Sequence, residues 1–226
     1  MELILAIGLA FLLGLVHFFG EEIDEYIMPE NLFLASFSAG LTVSYFLLGM
    51  LPEIINAPTN LEYNLLFALV GFSLFYIVEE IIYERESNLS DVKKEFKELH
   101  SFFIFSYHFV LGFLIYFLIG EGLYQVLLFY LPVFVHTAVN SLAIKEMNEE
   151  MLDKAWIKLS ASFASVLGVS VSYLIGVSDF VSYSLFGFIG GMFLYLVVHD
   201  ALDPQRERPI GFITGALVFS MIIFVL

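Results

Sequence analysis

Two histidines stand deep in apolar sequence, His108 within FSYHFVLGF and His136 within PVFVHTAVN. Neutral imidazole is a nitrogen donor that can ligate a metal or pass a proton. Asn140 follows His136 by four residues, so in a helix the two share a face, with Thr137 beside them; Tyr107 precedes His108. His108, His136, Asn140, Thr137 and Tyr107 thus form a belt of imidazole, amide and hydroxyl groups, and they are the candidate metal ligands. Interhelical hydrogen bonding is the competing role for such a belt.

A second group collects near the ends of apolar runs. His17 and Glu21 are spaced i, i+4, Glu79 and Glu80 close one run, His100 opens the next, and His199-Asp200 closes another. His17, Glu21, His100, His199 and Asp200 form a secondary candidate site for a metal, regulatory or hydrolytic. Residues of these types also simply mark a water boundary, so no catalytic residue is assigned and no enzyme is expected.

Sixty per cent of the 226 residues are hydrophobic, more than a soluble domain can hide. The composition predicts an all-α integral membrane protein forming a single transmembrane domain over 1–226. A span needs about 20 mostly apolar residues. Eight such runs occur, at 2–19, 32–52, 63–83, 101–119, 122–144, 159–177, 180–199 and 210–226. The first reads as a retained helix, because Met1-Glu2 supplies no positive leader and no small-x-small cleavage site follows. The segment 84–100 reads as a solvated cytoplasmic linker, with a short surface helix from Asp91, capped by Ser90, as the alternative. There is no Cys, which excludes disulfides and thiolate ligands, and a formal charge of −15 excludes nucleic acid as a partner.

All nine Lys and Arg fall in 85–97, 145–158 and 206–208, after helices 3, 5 and 7. By the positive-inside rule those loops are cytoplasmic, so both termini face out, in a plasma membrane. His108 and His136 then sit at one depth, roughly 12 Å from the cytoplasmic side at 1.5 Å per residue, on helices joined by Gly120-Glu121-Gly122. An internal echo sets Phe37-Ser38-Ala39-Gly40 against Phe188-Ile189-Gly190-Gly191. Helices 2 and 7 run oppositely, so helices 1–3 and 6–8 read as an inverted repeat around helices 4 and 5, an arrangement common in transporters. Small residues at close-packing spacing, Ser165, Gly168, Ser172 and Gly176, Gly187 and Gly191, Gly211 and Gly215, predict tight helix contacts.

At these residues the chain resembles the ZIP family of divalent metal transporters over nearly its whole length. Phe37-Ser-Ala-Gly40 with Leu51-Pro52-Glu53 is similar to the family's F-x-x-G and H-L-L-P-E run, with Gly49 in place of its His. Gly190-Gly191-Met192-Phe193-Leu194-Tyr195 with His199-Asp200 is similar to its G-G-x-F-L-Y-V segment. The resemblance implies a 3+2+3 bundle with two metal-binding motifs, on helices 4 and 5. Of those motifs only His136 is retained outright: Tyr107, His108 and Leu111 stand at the helix 4 ligand positions, and Thr137 and Asn140 at the carboxylates of helix 5.

The expectation is a transporter of ZIP-like fold for a divalent cation such as zinc, with a degenerate central site. Without carboxylates, imidazoles and neutral oxygens suit Zn²⁺ better than Mg²⁺ or Mn²⁺. A ZIP-fold protein that moves another solute or a proton, or that senses, is the alternative; an interfacial metal enzyme is a further one. No resident cofactor is expected beyond candidate bound Zn²⁺. The bilayer, a divalent cation and a second copy forming a homodimer are the candidate partners.

Overall fold

Apolar runs of this length leave the backbone one economical way to satisfy its own N–H and C=O groups, the α-helix. The computed structural model describes residues 1–24, 32–86, 92–143, 155–176, 178–200 and 208–225. Among them are eight helices and no strand: α1 (Glu2–Asp24), α2 (Leu32–Asn56), α3 (Leu61–Glu86), α4 (Val92–Glu121), α5 (Leu123–Ala143), α6 (Ala155–Ile175), α7 (Asp179–Asp200) and α8 (Pro209–Val225). Four contain stretches long and apolar enough to cross a membrane: Glu2–Phe19, Leu32–Asn56, Leu61–Val78 and Phe102–Glu121. The apolar stretches of the other four are shorter as described, such as Leu123–Val139 and Asp179–Tyr195.

Several helices outrun their apolar cores. α1 continues to Asp24, and α4 begins at Val92, so Val92 to His100 of the expected linker is helix. The charged residues there are good helix formers, and a helix already nucleated by the apolar run extends at one hydrogen bond per residue.

Proline stands within two helices. In α2 the segment Phe46–Met50 is π-helical, and the Leu51 N–H bonds to the Phe46 carbonyl. Pro52 follows; its ring crowds the carbonyl of residue 48 and it donates no hydrogen bond, so the turn before it widens. Pro132 sits inside α5.

Glycine sets which helices meet. α2 lies on α8 with Gly40 against the backbone of Phe212 and Gly215 against that of Phe37. α3 lies on α7 with Gly191 against Ala68 and Gly71 against Phe188. These contacts repeat in register: Gly191 and Phe188 stand 151 residues after Gly40 and Phe37, while Ala68 and Gly71 stand 144 before Phe212 and Gly215. A third interface joins α4 to α6 through Gly112 on Ser165 and Gly168 on Phe109, and a fourth joins α1 to α6 through Gly14 on Ser162. Gly176 departs from its expected packing role. Its φ is +64° with open space around it, so it ends α6 in a left-handed conformation.

Aromatic rings fill the centre. Tyr45 of α2, 3% exposed, meets Phe129 of α5, Phe193 of α7 and Phe219 of α8 edge-on at centroid separations of 6.2, 6.4 and 5.6 Å. Such geometry sets the positive ring edge against a negative ring face. The outward faces are apolar as well: Leu65, Leu66, Leu69 and Val70 on α3 and Ile213, Leu217, Met221 and Phe224 on α8 are exposed.

Candidate functional site

Direction follows from the helix ends. Tyr183 interacts electrostatically with Glu53, Glu121 and Asp179, which gathers the C-terminal ends of α2 and α4 and the N-terminal end of α7 at one end of the bundle. Gly122, at φ 136°, makes the one-residue turn from α4 to α5. His108 lies thirteen residues before Glu121 and His136 thirteen after Leu123, so the two imidazoles stand equally far along their helices from that turn, about 20 Å at 1.5 Å per residue.

Each histidine has a different neighbour. The His108 ring lies 4.6 Å from that of His17 on α1, centroid to centroid, with a 52° tilt. It also meets Tyr107 edge-on at 5.4 Å. His136 packs edge-on to Phe193 of α7 at 5.9 Å. Both histidines are buried, His108 to 2% exposure and His136 to 8%, and Thr137 is buried beside His136.

The structure therefore brings His17 out of the group assigned to helix ends and sets it against the central belt. Its position explains this: α1 runs seven residues past His17, to Asp24, so the ring projects from the helix body rather than its tip. The side chains of Glu21, His100, Asn140, His199 and Asp200 lie outside the described residues.

Buried polar atoms without a hydrogen-bond partner mark where the interior is not finished by its own groups. Among the described residues, His108 Nδ1 and the Tyr107 hydroxyl are two of them. Ser38 and Thr42 of α2 and Ser182 and Ser184 of α7 add four hydroxyls. Ser38 and Thr42 are four residues apart and so share a helical face, each 2% exposed. Their only mark in the sequence is a pair of hydroxyls at i, i+4 inside an apolar run.

The donors are neutral nitrogen and oxygen. Among the described residues no three His, Asp or Glu side chains come together as a metal-binding group. Such a belt offers a dehydrating ion dipoles without counter-charge, which suits imidazole-seeking metals over hard cations.

Fold and interior together define an all-helical protein with eight described helices, four of them long and apolar enough to cross a membrane. No family model, curated protein or solved structure matches the chain.

Proposed function

We propose that the chain is an integral membrane transporter of ZIP-like architecture, with eight spans in a 3+2+3 inverted repeat, both termini outside the plasma membrane. Its cargo is a divalent metal cation, zinc before others, passing between α4 and α5 past His108, His136, Asn140, Thr137 and Tyr107. The observation that carries the reading is the repeated glycine register, Gly40 on Phe212 with Gly215 on Phe37, and Gly191 on Ala68 with Gly71 on Phe188. Two helix pairs built to one plan are what a duplicated transporter half requires. The exposed leucines of α3 and α8 suit a lipid environment, where an apolar outer face costs nothing.

Proteoliposomes containing the full chain test it. Zn²⁺ uptake above that of empty vesicles, reduced by His136→Ala, is expected. Absence of flux for Zn²⁺, Fe²⁺, Mn²⁺, Co²⁺ and Cd²⁺ alike overturns it.

One observation favours a second reading: the lack of any three-residue His, Asp or Glu group among the described residues. In that reading the same bundle carries another solute or a proton, or senses. Purified protein that retains no zinc while the vesicles pass protons would support it.

A further inference from the structure

We propose that the Tyr45 and Phe129 rings form a gate on the solute's path, hinged on the π-helical segment of α2 and on Pro132 of α5. The gate presupposes the transporter function proposed above and adds the residues that open and close its path. Tyr45 and Phe129 meet edge-on between α2 and α5 at 6.2 Å. Two rings of α7 close against them, Phe186 on Phe129 at 6.2 Å and Phe193 on Tyr45 at 6.4 Å. All four are buried. An apolar constriction of this kind blocks ions by excluding water. Buried hydroxyls flank it on both sides. On α2, Ser38, Thr42 and Tyr45 follow one helical stripe, with Thr42 about 4.5 Å and Ser38 about 10.5 Å from Tyr45 on the side away from Glu53, at 1.5 Å per residue. On α7, Ser182 precedes Phe186 by four residues and so lies on the Glu53 side. None of these three hydroxyls has a hydrogen-bond partner among the described residues. They are costly in a dry interior, and water or a solute arriving from either end would satisfy them. His136 stands seven residues past Phe129, so a solute entering from the Glu53 end meets the rings before it meets the imidazole.

Each ring of the pair stands beside a break in ordinary helical bonding. Tyr45 immediately precedes Phe46–Met50, where the Leu51 N–H bonds to the Phe46 carbonyl, one residue farther along than in an α-helix. The Tyr45 ring lies against that turn, since a Cβ at Gly49 would stand 3.0 Å from two of its carbons. Pro132 lies three residues past Phe129 and donates no hydrogen bond to the Leu128 carbonyl. Helices bend at such places at the least cost. Relaxing the π turn to α would rotate the two halves of α2 against each other by about 100°, one residue's share of a turn. That rotation carries Tyr45 away from Phe129.

The chain has no cysteine, so introduced thiols report without background. Glu62→Cys marks the exposed start of α3 at the Glu53 end, and Ser38→Cys marks the far side of the rings. The full chain carrying both changes is reconstituted in liposomes and treated from outside with a membrane-impermeant cationic methanethiosulfonate. Mass spectrometry then counts chains bearing two labels. Only a chain that presents its Glu53 end gains the label at position 62, and from that end the label at position 38 requires passage through the rings. Tyr45→Ala should speed double labelling at least about tenfold, equivalent to about 1.4 kcal/mol of lost closure. Tyr45→Phe keeps the ring and should leave the rate unaltered. Phe129→Leu opens the same contact from α5 and serves where Tyr45→Ala unfolds the chain. Pro52→Ala supplies the missing backbone donor after the π turn and should slow double labelling with both rings in place. Labelling that is fast with the rings intact, or indifferent to their removal, overturns the gate, and a rate unmoved by Pro52→Ala overturns the hinge. Zinc flux fails separately: ring-dependent labelling in vesicles that pass no zinc keeps the gate and discards the zinc cargo, and zinc flux with ring-indifferent labelling does the reverse.

Discussion

The α-carbon of Gly191 lies so close to the carbonyl oxygen of Ala68 that a Cβ at residue 191 would overlap it. The obstacle is backbone, so neither helix can yield by turning a side chain. α7 and α3 thus meet backbone to backbone, and Gly40 repeats the arrangement against Phe212.

Alanine at position 191 or 40 should therefore force the helices apart and cost about 1–3 kcal/mol or more, the range of overpacked cores. Gly8 has nothing within 4 Å, so Gly8→Ala should raise stability by up to about 1 kcal/mol through helix propensity. Thermal unfolding in micelles would separate the three variants. Equal stability of Gly191→Ala and the unmutated chain would show that the interface is looser than its backbone contact implies.

The helices and this contact were legible for different reasons. Apolar runs near 20 residues announce helices through their length, and the Phe37 to Gly40 echo in Phe188 to Gly191 pointed to α2 and α7 as counterparts. The partners of those glycines, Ala68 and Phe212, carry no signal, because a carbonyl that meets a glycine can belong to any residue. Gly176 misled for the opposite reason: spacing alone cannot separate a packing glycine from one that ends a helix. The His17 and His108 contact was hidden because apolarity measures where a run ends, whereas α1 continues as helix beyond it to Asp24. His108 and His136 stand thirteen residues to either side of the turn ends Glu121 and Leu123, a spacing readable because glycines on both sides of Glu121 mark a short turn.

Tyr130 on α5 donates its hydroxyl hydrogen to the Leu9 carbonyl of α1 at 2.9 Å. Tyr130→Phe keeps the ring and removes one interhelical hydrogen bond, a loss of about 1 kcal/mol. A lowered unfolding temperature with unchanged helix content by circular dichroism is the expected result.

Asn64 is fully buried at the start of α3, where its amide nitrogen donates to Thr59 Oγ1 at 2.9 Å and to the Ile54 carbonyl at 3.4 Å. It ties α3 back to the end of α2. Asn64→Ala leaves that carbonyl short of its donor and should cost about 1–3 kcal/mol. Protease accessibility of the 57–60 connection should rise in step, and unchanged cleavage would detach Asn64 from holding the turn.

Among the described residues the buried hydroxyls of Ser38 and Thr42 have no hydrogen-bond partner, a state that lowers stability. Ser38→Ala and Thr42→Val remove the unpaired groups while nearly keeping their volume, so each should stabilise the fold, by up to about 1–3 kcal/mol. If the hydroxyls are kept because a solute meets them, the same changes should slow flux in proteoliposomes. Stability rising while flux falls is the signature of groups retained for function. Faster unfolding in either variant would mean that the hydroxyl has a structural partner after all, and a stabilised variant with undiminished flux would remove α2 from the solute's path.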